Sequence, residues 1–155
     1  MQSSQASALV EQLREASEAL IAVVERIAPE RWLDVPKPEV WSPGKDAEHV
    51  TDGARYHQWI VRTTLGQKVG DRPPVRREQM TAQLAQPQVV ALLRQRTEES
   101  ASLIQSLTDA QLELPAKPPH ARPRTLAEMI AGQLIGHYRG HQADIEAKLR
   151  VSSRR

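Results

Sequence analysis

The sequence predicts an all-α protein, and specifically a four-helix bundle. Four stretches of its 155 residues carry apolar residues at spacings of three and four, which is the pattern of an amphipathic helix. Support for strands is weak, because Phe is absent, only two Tyr and three Trp occur, and no short stretch alternates between apolar and polar residues. At this length the whole chain, residues 1–155, is expected to form one domain.

The first helix is predicted over residues 7–28, before Pro29. Its apolar stripe consists of Leu9, Leu13, Ala16, Leu20, Val24 and Ile27. The connector "RWLDVPKPEVW" (31–41) is expected to be extended, because its two prolines also restrict the residues that precede them. The second helix is predicted to begin at Pro43, with Ser42 as its N-cap, and to continue to about Leu65.

The third and fourth helices follow a loop at residues 70–74. The third is predicted over residues 89–107, with "REQMTAQLA" (77–85) as a short helical prelude, and its buried set is Leu92, Leu93, Thr97, Leu103, Ile104 and Leu107. After the Pro-rich loop "ELPAKPPHARPR" (113–124), Thr125 and Glu128 form a capping box that begins the fourth helix. The stripe of that helix is Leu126, Met129, Ile130, Leu134, His137, His141, Ile145 and Leu149. The first two connectors are long enough to cross over the bundle, so the pattern does not require up-down-up-down order.

Composition excludes several classes of function. The absence of Cys removes disulfides, Cys-ligated zinc and thiol nucleophiles. A net charge of +2 gives little support for nucleic-acid binding, and the basic clusters "RPPVRR" (72–77) and the terminal "RR" favour solvated loops over a phosphate-binding patch. No stretch has the pattern of a secretion signal or of a membrane span, so we expect a cytoplasmic protein with no membrane partner.

Two of the five histidines, His137 and His141, lie four residues apart on the apolar stripe of the fourth helix. At 100° per residue their side chains lie one above the other and point into the bundle. Two buried imidazoles lose hydration and repel each other if both are protonated, whereas a divalent metal ion binds both in the neutral form. The spacing alone is not specific, and the Glu of the His-Glu-x-x-His protease motif is replaced here by Tyr138.

His49 is the best third ligand, because it lies on an inward face of the second helix. His57 is about 80° away around the same helix, and His120 lies in the Pro-rich loop, where it is expected to be solvated. The predicted metal site is therefore His49, His137 and His141. Three protein ligands leave a fourth position for water or substrate, which is typical of catalytic zinc sites.

These motifs resemble the DinB/YfiT-like metalloenzyme superfamily over essentially the whole chain. "EVWSPGKDAEHVTDGARYH" (39–57) resembles its Trp-Ser-x-x-(Glu/Asp)-x-x-x-His segment, and "AGQLIGHYRGHQADIEAKL" (131–149) resembles its His-x-x-x-His helix. The resemblance implies an up-down-down-up four-helix bundle, often a homodimer, that binds zinc or nickel through the positions of His49, His137 and His141. The sequence departs from the family in its small Gly53 and its lack of Phe, which leaves the substrate open.

Relatives with assigned activities use low-molecular-weight thiols such as mycothiol, bacillithiol or glutathione. The resemblance therefore implies a metal-dependent transferase that favours a thiolate for attack on an electrophilic small-molecule substrate. The alternative is a non-catalytic, metal-stabilised, stress-associated protein that binds a partner or dimerises. A third idea, DNA binding, has no recognition helix or basic stripe to support it.

Supporting roles stay open at this point. Asp52 or Asp144 is a candidate to orient a ligating imidazole. Tyr56 is either a pocket hydroxyl or a core residue, and Tyr138 and Arg139 are interpreted as facing solvent. The simplest interpretation of the tryptophans is that they are packing anchors at the ends of the bundle; they are Trp32, Trp41 and Trp59.

Overall fold

A computed structural model of the protein describes residues 2–117, 122 and 124–151, and within these ranges it is all-helical. The helices are α1 (Ser4–Glu25), α2 (Pro43–Thr64), α3 (Gln86–Gln105), the short α4 (Asp109–Leu112), α5 (Leu126–Met129) and α6 (Gly136–Arg150). A π-helical segment (Ile130–Ile135) joins α5 to α6, so these three pieces form one continuous last helix. A 3₁₀ turn (Pro29–Arg31) follows α1. The predicted bundle of four long helical segments is confirmed.

Side-chain caps set the beginnings of the helices. The Ser42 hydroxyl accepts a hydrogen bond from the Lys45 N–H, and Thr125 and Glu128 cap each other's backbone, as predicted. The first helix begins three residues earlier than predicted, because Ser3 caps it through the Ala6 N–H. The third helix also begins three residues early, at Gln86.

The prediction of a helical prelude at residues 77–85 is wrong. The N–H groups of Gln83 and Leu84 donate to one carboxylate oxygen of Glu48, at 2.9 and 2.8 Å. Likewise the Met80 carbonyl accepts the Ser42 N–H at 2.9 Å. Backbone groups of this segment therefore form hydrogen bonds with α2 and its N-cap instead of with one another, and no residue in the segment is helical.

Helices α1 and α2 lie diagonally opposite each other, since each packs mainly against α3 and the last helix. The core between them is aliphatic and includes Leu13, Leu20, Ile60, Leu93, Ile104, Leu126, Met129 and Ile145. One polar chain crosses it: the Thr97 hydroxyl shares hydrogen bonds with Ser17, at 2.8 Å, and with Tyr138, at 3.0 Å. Tyr138 is therefore buried, which corrects its predicted exposure, whereas Arg139 faces solvent as expected.

The last helix differs from the uninterrupted α-helix that was predicted. Its π-helical segment lies directly before the turn that carries His137. His120 and the terminal "RR" lie outside the described residues. Among the helices that are described, none has the length and apolar content to cross a bilayer.

Candidate metal centre

The packing of α2 against the last helix brings the three predicted histidines together. The ring centroids are 4.7 Å apart for His49 and His137, 4.9 Å for His49 and His141, and 4.6 Å for His137 and His141. One ring nitrogen from each lies within 4.8 Å of the other two. Metal–nitrogen bonds of about 2.0–2.1 Å place two ligand nitrogens no more than about 4.2 Å apart, so this separation is on the scale of a metal site.

The environment keeps two of these imidazoles neutral. Burial, followed by the charges of His141 and Arg77, lowers the pKa of His49 to about 4. Burial and the neighbouring His141 and His49 lower the pKa of His137 to about 2. The buried Nδ1 atoms of His49 and His137 have no hydrogen-bond partner among the described residues. Three converging imidazoles, two of them neutral and with an unpaired buried nitrogen, suit a divalent cation, so the residues fit a metal ion.

The third imidazole is held by Asp46, a residue that the sequence reasoning missed. The Asp46 carboxylate is buried, and its Oδ1 lies 3.0 Å from His141 Nδ1. Its other oxygen accepts a hydrogen bond from the Lys148 ammonium group. When Nδ1 donates to the carboxylate, Nε2 becomes the free ligand atom, and the ring orientation is fixed. Asp46 lies three residues before His49, on the same face of α2, and this spacing is the signal that was available.

Neither of the two predicted supporting carboxylates takes this role. Asp52 faces the loop after α2, where its oxygens accept hydrogen bonds from the guanidinium of Arg76 at 3.0 and 3.1 Å. Asp144 is exposed and lies 3.7 Å from His141 Nδ1, beyond hydrogen-bond distance. Asp46, His141 and Asp144 are also close enough to hold a metal ion. The Asp46 carboxylate, however, already forms an ion pair with the Lys148 ammonium group, which makes the three-histidine group the better site.

Two other residues shape the candidate metal centre. The Trp41 ring stacks on His141, with centroids 6.2 Å apart and planes at 14°, and meets His49 edge-on at 4.8 Å. Trp41 therefore lines the site, which corrects its interpretation as a packing anchor at a bundle end. Gly53 lies directly against His137, because a Cβ atom there would be 2.4 Å from that ring. The small residue that departs from the family pattern is thus required by the position of a candidate ligand.

A cleft of about 690 Å³ opens beside His49 and His137. Its other lining residues come from α2, from the loop after α2 and from the last helix: Gly53, Tyr56, His57, Arg72, Pro73, Pro74, Val75, Arg77, Gly132, Gln133 and Gly136. Tyr56 is half-buried in its wall, where Arg72 lies 5.7 Å above its ring, so the pocket interpretation of Tyr56 is the one that fits. The volume is suitable for a small-molecule substrate.

Comparisons with known proteins agree with this architecture. The family model described as the DinB superfamily matches residues 12–145. The fold is similar to the crystal structure of an uncharacterized protein from Clostridium difficile 630, with a TM-score of 0.72 and 14% sequence identity over 96% of this chain and 98% of the other. No match was found among curated proteins.

Proposed function

The chain belongs to the DinB superfamily, and we propose that it is a metal-dependent transferase that activates a low-molecular-weight thiol. In this proposal His49, His137 and His141 bind one divalent ion, zinc or nickel, and the thiol binds beside them in the cleft. The supporting observation is the convergence of three imidazoles, two of them with unpaired buried nitrogens, at the wall of a cleft large enough for a substrate.

The chain itself prepares the ligands. The buried surroundings of His49 and His137 keep both imidazoles unprotonated at neutral pH. Asp46 accepts a hydrogen bond from the Nδ1–H of His141, which leaves Nε2 of His141 as the ligand atom. The Trp41 ring packs against both His141 and His49. These features allow the ligands to be placed before any substrate arrives.

The bound ion would supply Lewis acidity, which lowers the pKa of a coordinated thiol and favours the nucleophilic thiolate near neutral pH. Because the sequence contains no Cys, a thiol nucleophile must come from a small molecule. The thiol sulfur then attacks an electrophilic carbon, the leaving group departs with its electron pair, and the thiol proton passes to solvent.

Elemental analysis of protein purified without a His-tag tests whether the three histidines bind a metal ion. We expect about one equivalent of zinc or nickel in the wild type and a large loss in His137→Ala. The proposed thiol transfer is tested by a screen of metal-loaded protein with several thiols and a chloro-aromatic electrophile. We expect turnover that is lost in His141→Ala while the helical circular dichroism is retained. Metal content unchanged by His137→Ala would contradict the proposed site.

The second candidate is a non-catalytic protein in which the metal ion stabilises the bundle or a homodimer. It is favoured by the origin of the ligands on two different helices, because an ion bound only by the folded chain adds to the free energy of unfolding. Tight metal binding with no turnover for any thiol would support this candidate over the transferase.

A further inference from the structure

Every charged residue that lines the cleft is an arginine. Arg72 and Arg77 come from the loop after α2, and no Asp or Glu contributes to the described wall. Among the described residues, neither guanidinium has a carboxylate partner within 4 Å. The sequence pattern favoured a solvated loop for this segment, but the fold places both side chains at the wall of the cleft that contains His49 and His137.

The loop is held in this place by the third arginine of the cluster. Arg76 donates to both oxygens of Asp52 and, at 2.9 Å, to the side-chain carbonyl of Gln83. The buried ammonium of Lys45 also donates to the Arg76 carbonyl at 3.1 Å. Arg76 is therefore neutralised and structural, whereas its neighbour Arg77 remains available on the cleft side.

The positive charges act on the same space as the imidazoles. Arg77 lines the same cleft as His49 and His137. Arg72 packs over the Tyr56 ring, which restricts the guanidinium to the wall. Gly132 and Gly136 of the last helix line the same cleft and have no side chains to fill it. A divalent ion at the three histidines would increase the positive potential further.

We propose that Arg72 and Arg77 form an anion subsite that binds a carboxylate of the small molecule whose thiol reaches the three imidazoles. This inference rests on the proposed function for the thiol end of the ligand, and it assigns the chemistry of the other end. Guanidinium groups bind carboxylates through paired, charge-assisted hydrogen bonds, and many low-molecular-weight thiols are amino-acid derivatives that carry such groups. The preferred substrates are therefore anionic thiols.

Glutathione and its diethyl ester test the subsite, because both have the thiol but only the acid has the two carboxylates. Dissociation constants are measured by NMR titration of isotopically labelled protein, in zinc-loaded and in chelator-treated form. Each is compared with the double variant Arg72→Gln/Arg77→Gln. A second double variant, Arg62→Gln/Arg94→Gln, removes the same charge from two exposed positions outside the cleft.

We expect the acid to bind wild-type protein at least about tenfold more tightly than the ester, which is the scale of one or two hydrogen bonds to charged groups. The preference should disappear in the cleft variant and persist in the control variant. Equal affinities for acid and ester in the wild type, including failure of both to bind, would overturn the inference. So would a preference that survives in Arg72→Gln/Arg77→Gln.

The two forms of the protein separate this inference from the proposed function. A carboxylate preference in the chelator-treated form, together with failure to retain zinc, would support the anion subsite and contradict the metal-dependent transferase. Zinc binding and thiol turnover without a carboxylate preference would support the metal-dependent transferase and contradict the anion subsite.

Discussion

Asp46 and His141 are 95 positions apart in the chain, yet Oδ1 of the first lies 3.0 Å from Nδ1 of the second. The contact joins the first turn of α2 to the last helix, and Lys148, two turns further along the last helix, donates to the other oxygen of Asp46. A buried carboxylate in this position fixes the tautomer of the imidazole and increases its basicity as a ligand. The first prediction follows from this pair.

Asp46→Asn should weaken metal binding by about 10- to 100-fold, because the neutral amide no longer stabilises the ligating form of His141. The affinity is measured by competition with a chromophoric chelator at pH 7, and circular dichroism checks the helical content. Asp144→Asn is the matched control, since Asp144 is exposed and 3.7 Å from the same nitrogen. A larger loss in Asp144→Asn than in Asp46→Asn would contradict the assignment.

Gly53→Ala should displace the His137 ring, because the new methyl group would lie 2.4 Å from ring atoms. We expect metal affinity to fall by about tenfold or more, comparable with the loss of a supporting contact. Alanine also has a higher helix propensity than glycine, so helical content should not decrease.

Gly140→Ala on the last helix is the control for this substitution. Nothing lies within 4 Å of the added methyl group there, so metal affinity should be unchanged. The free energy of unfolding should rise by up to about 1 kcal/mol, as measured in urea. Equal metal affinities in the two alanine variants would show that the close approach of Gly53 does not position His137.

The metal-free protein should lose stability as the pH falls from 7 to 5. Histidines in an unfolded chain titrate near 6.5, whereas the pKa is about 4 for His49 and about 2 for His137 in the fold. Between these values the unfolded chain binds more protons, so the free energy of unfolding decreases with falling pH, by at most about 1.4 kcal/mol per pH unit for each histidine. Urea denaturation at pH 7, 6 and 5 checks this. Replacing one of these residues, as in His137→Gln, should reduce the slope, and parallel curves would contradict the buried neutral state.

Tyr138→Phe should lower the free energy of unfolding by about 1 kcal/mol, because the Thr97 hydroxyl still has Ser17 as a partner. Thr97→Val should cost more, about 2–3 kcal/mol, since it leaves two buried hydroxyls without their shared partner. Chemical denaturation of both variants measures the difference. The reverse order of the two costs would argue against the chain of hydroxyls between α1, α3 and α6.

The apolar stripes and the caps at Ser42 and Thr125 were sufficient to predict the four long helical segments. The convergence of His49 with His137 and His141 was also predictable, because helical geometry and burial restrict where imidazoles on inward faces can point. Asp46 was not found: its spacing from His49 indicates only a shared face of α2, and its contact with His141 depends on how α2 and the last helix pack against each other. The same limit applies to residues 77–85, whose backbone bonds to Glu48 outweigh a helical pattern.

The reason for a glycine at position 53 could be recognised only from the structure. A missing side chain gives no sign in the sequence of the ring that fills its space. The π-helical segment was likewise invisible, because its residues continue the apolar pattern of an ordinary α-helix on both sides.

That segment has an effect on the rotational phase of the last helix. A π turn accommodates an additional residue, and one residue corresponds to about 100° of α-helical rotation. The half that begins at Leu126 can therefore direct its aliphatic residues into the core. The half that carries His137 and His141 is rotated about the helix axis relative to it and directs these two side chains toward α2. Removing a single residue between Ile130 and Ile135 would couple the two halves again, and either the core or the imidazoles would then face the wrong way.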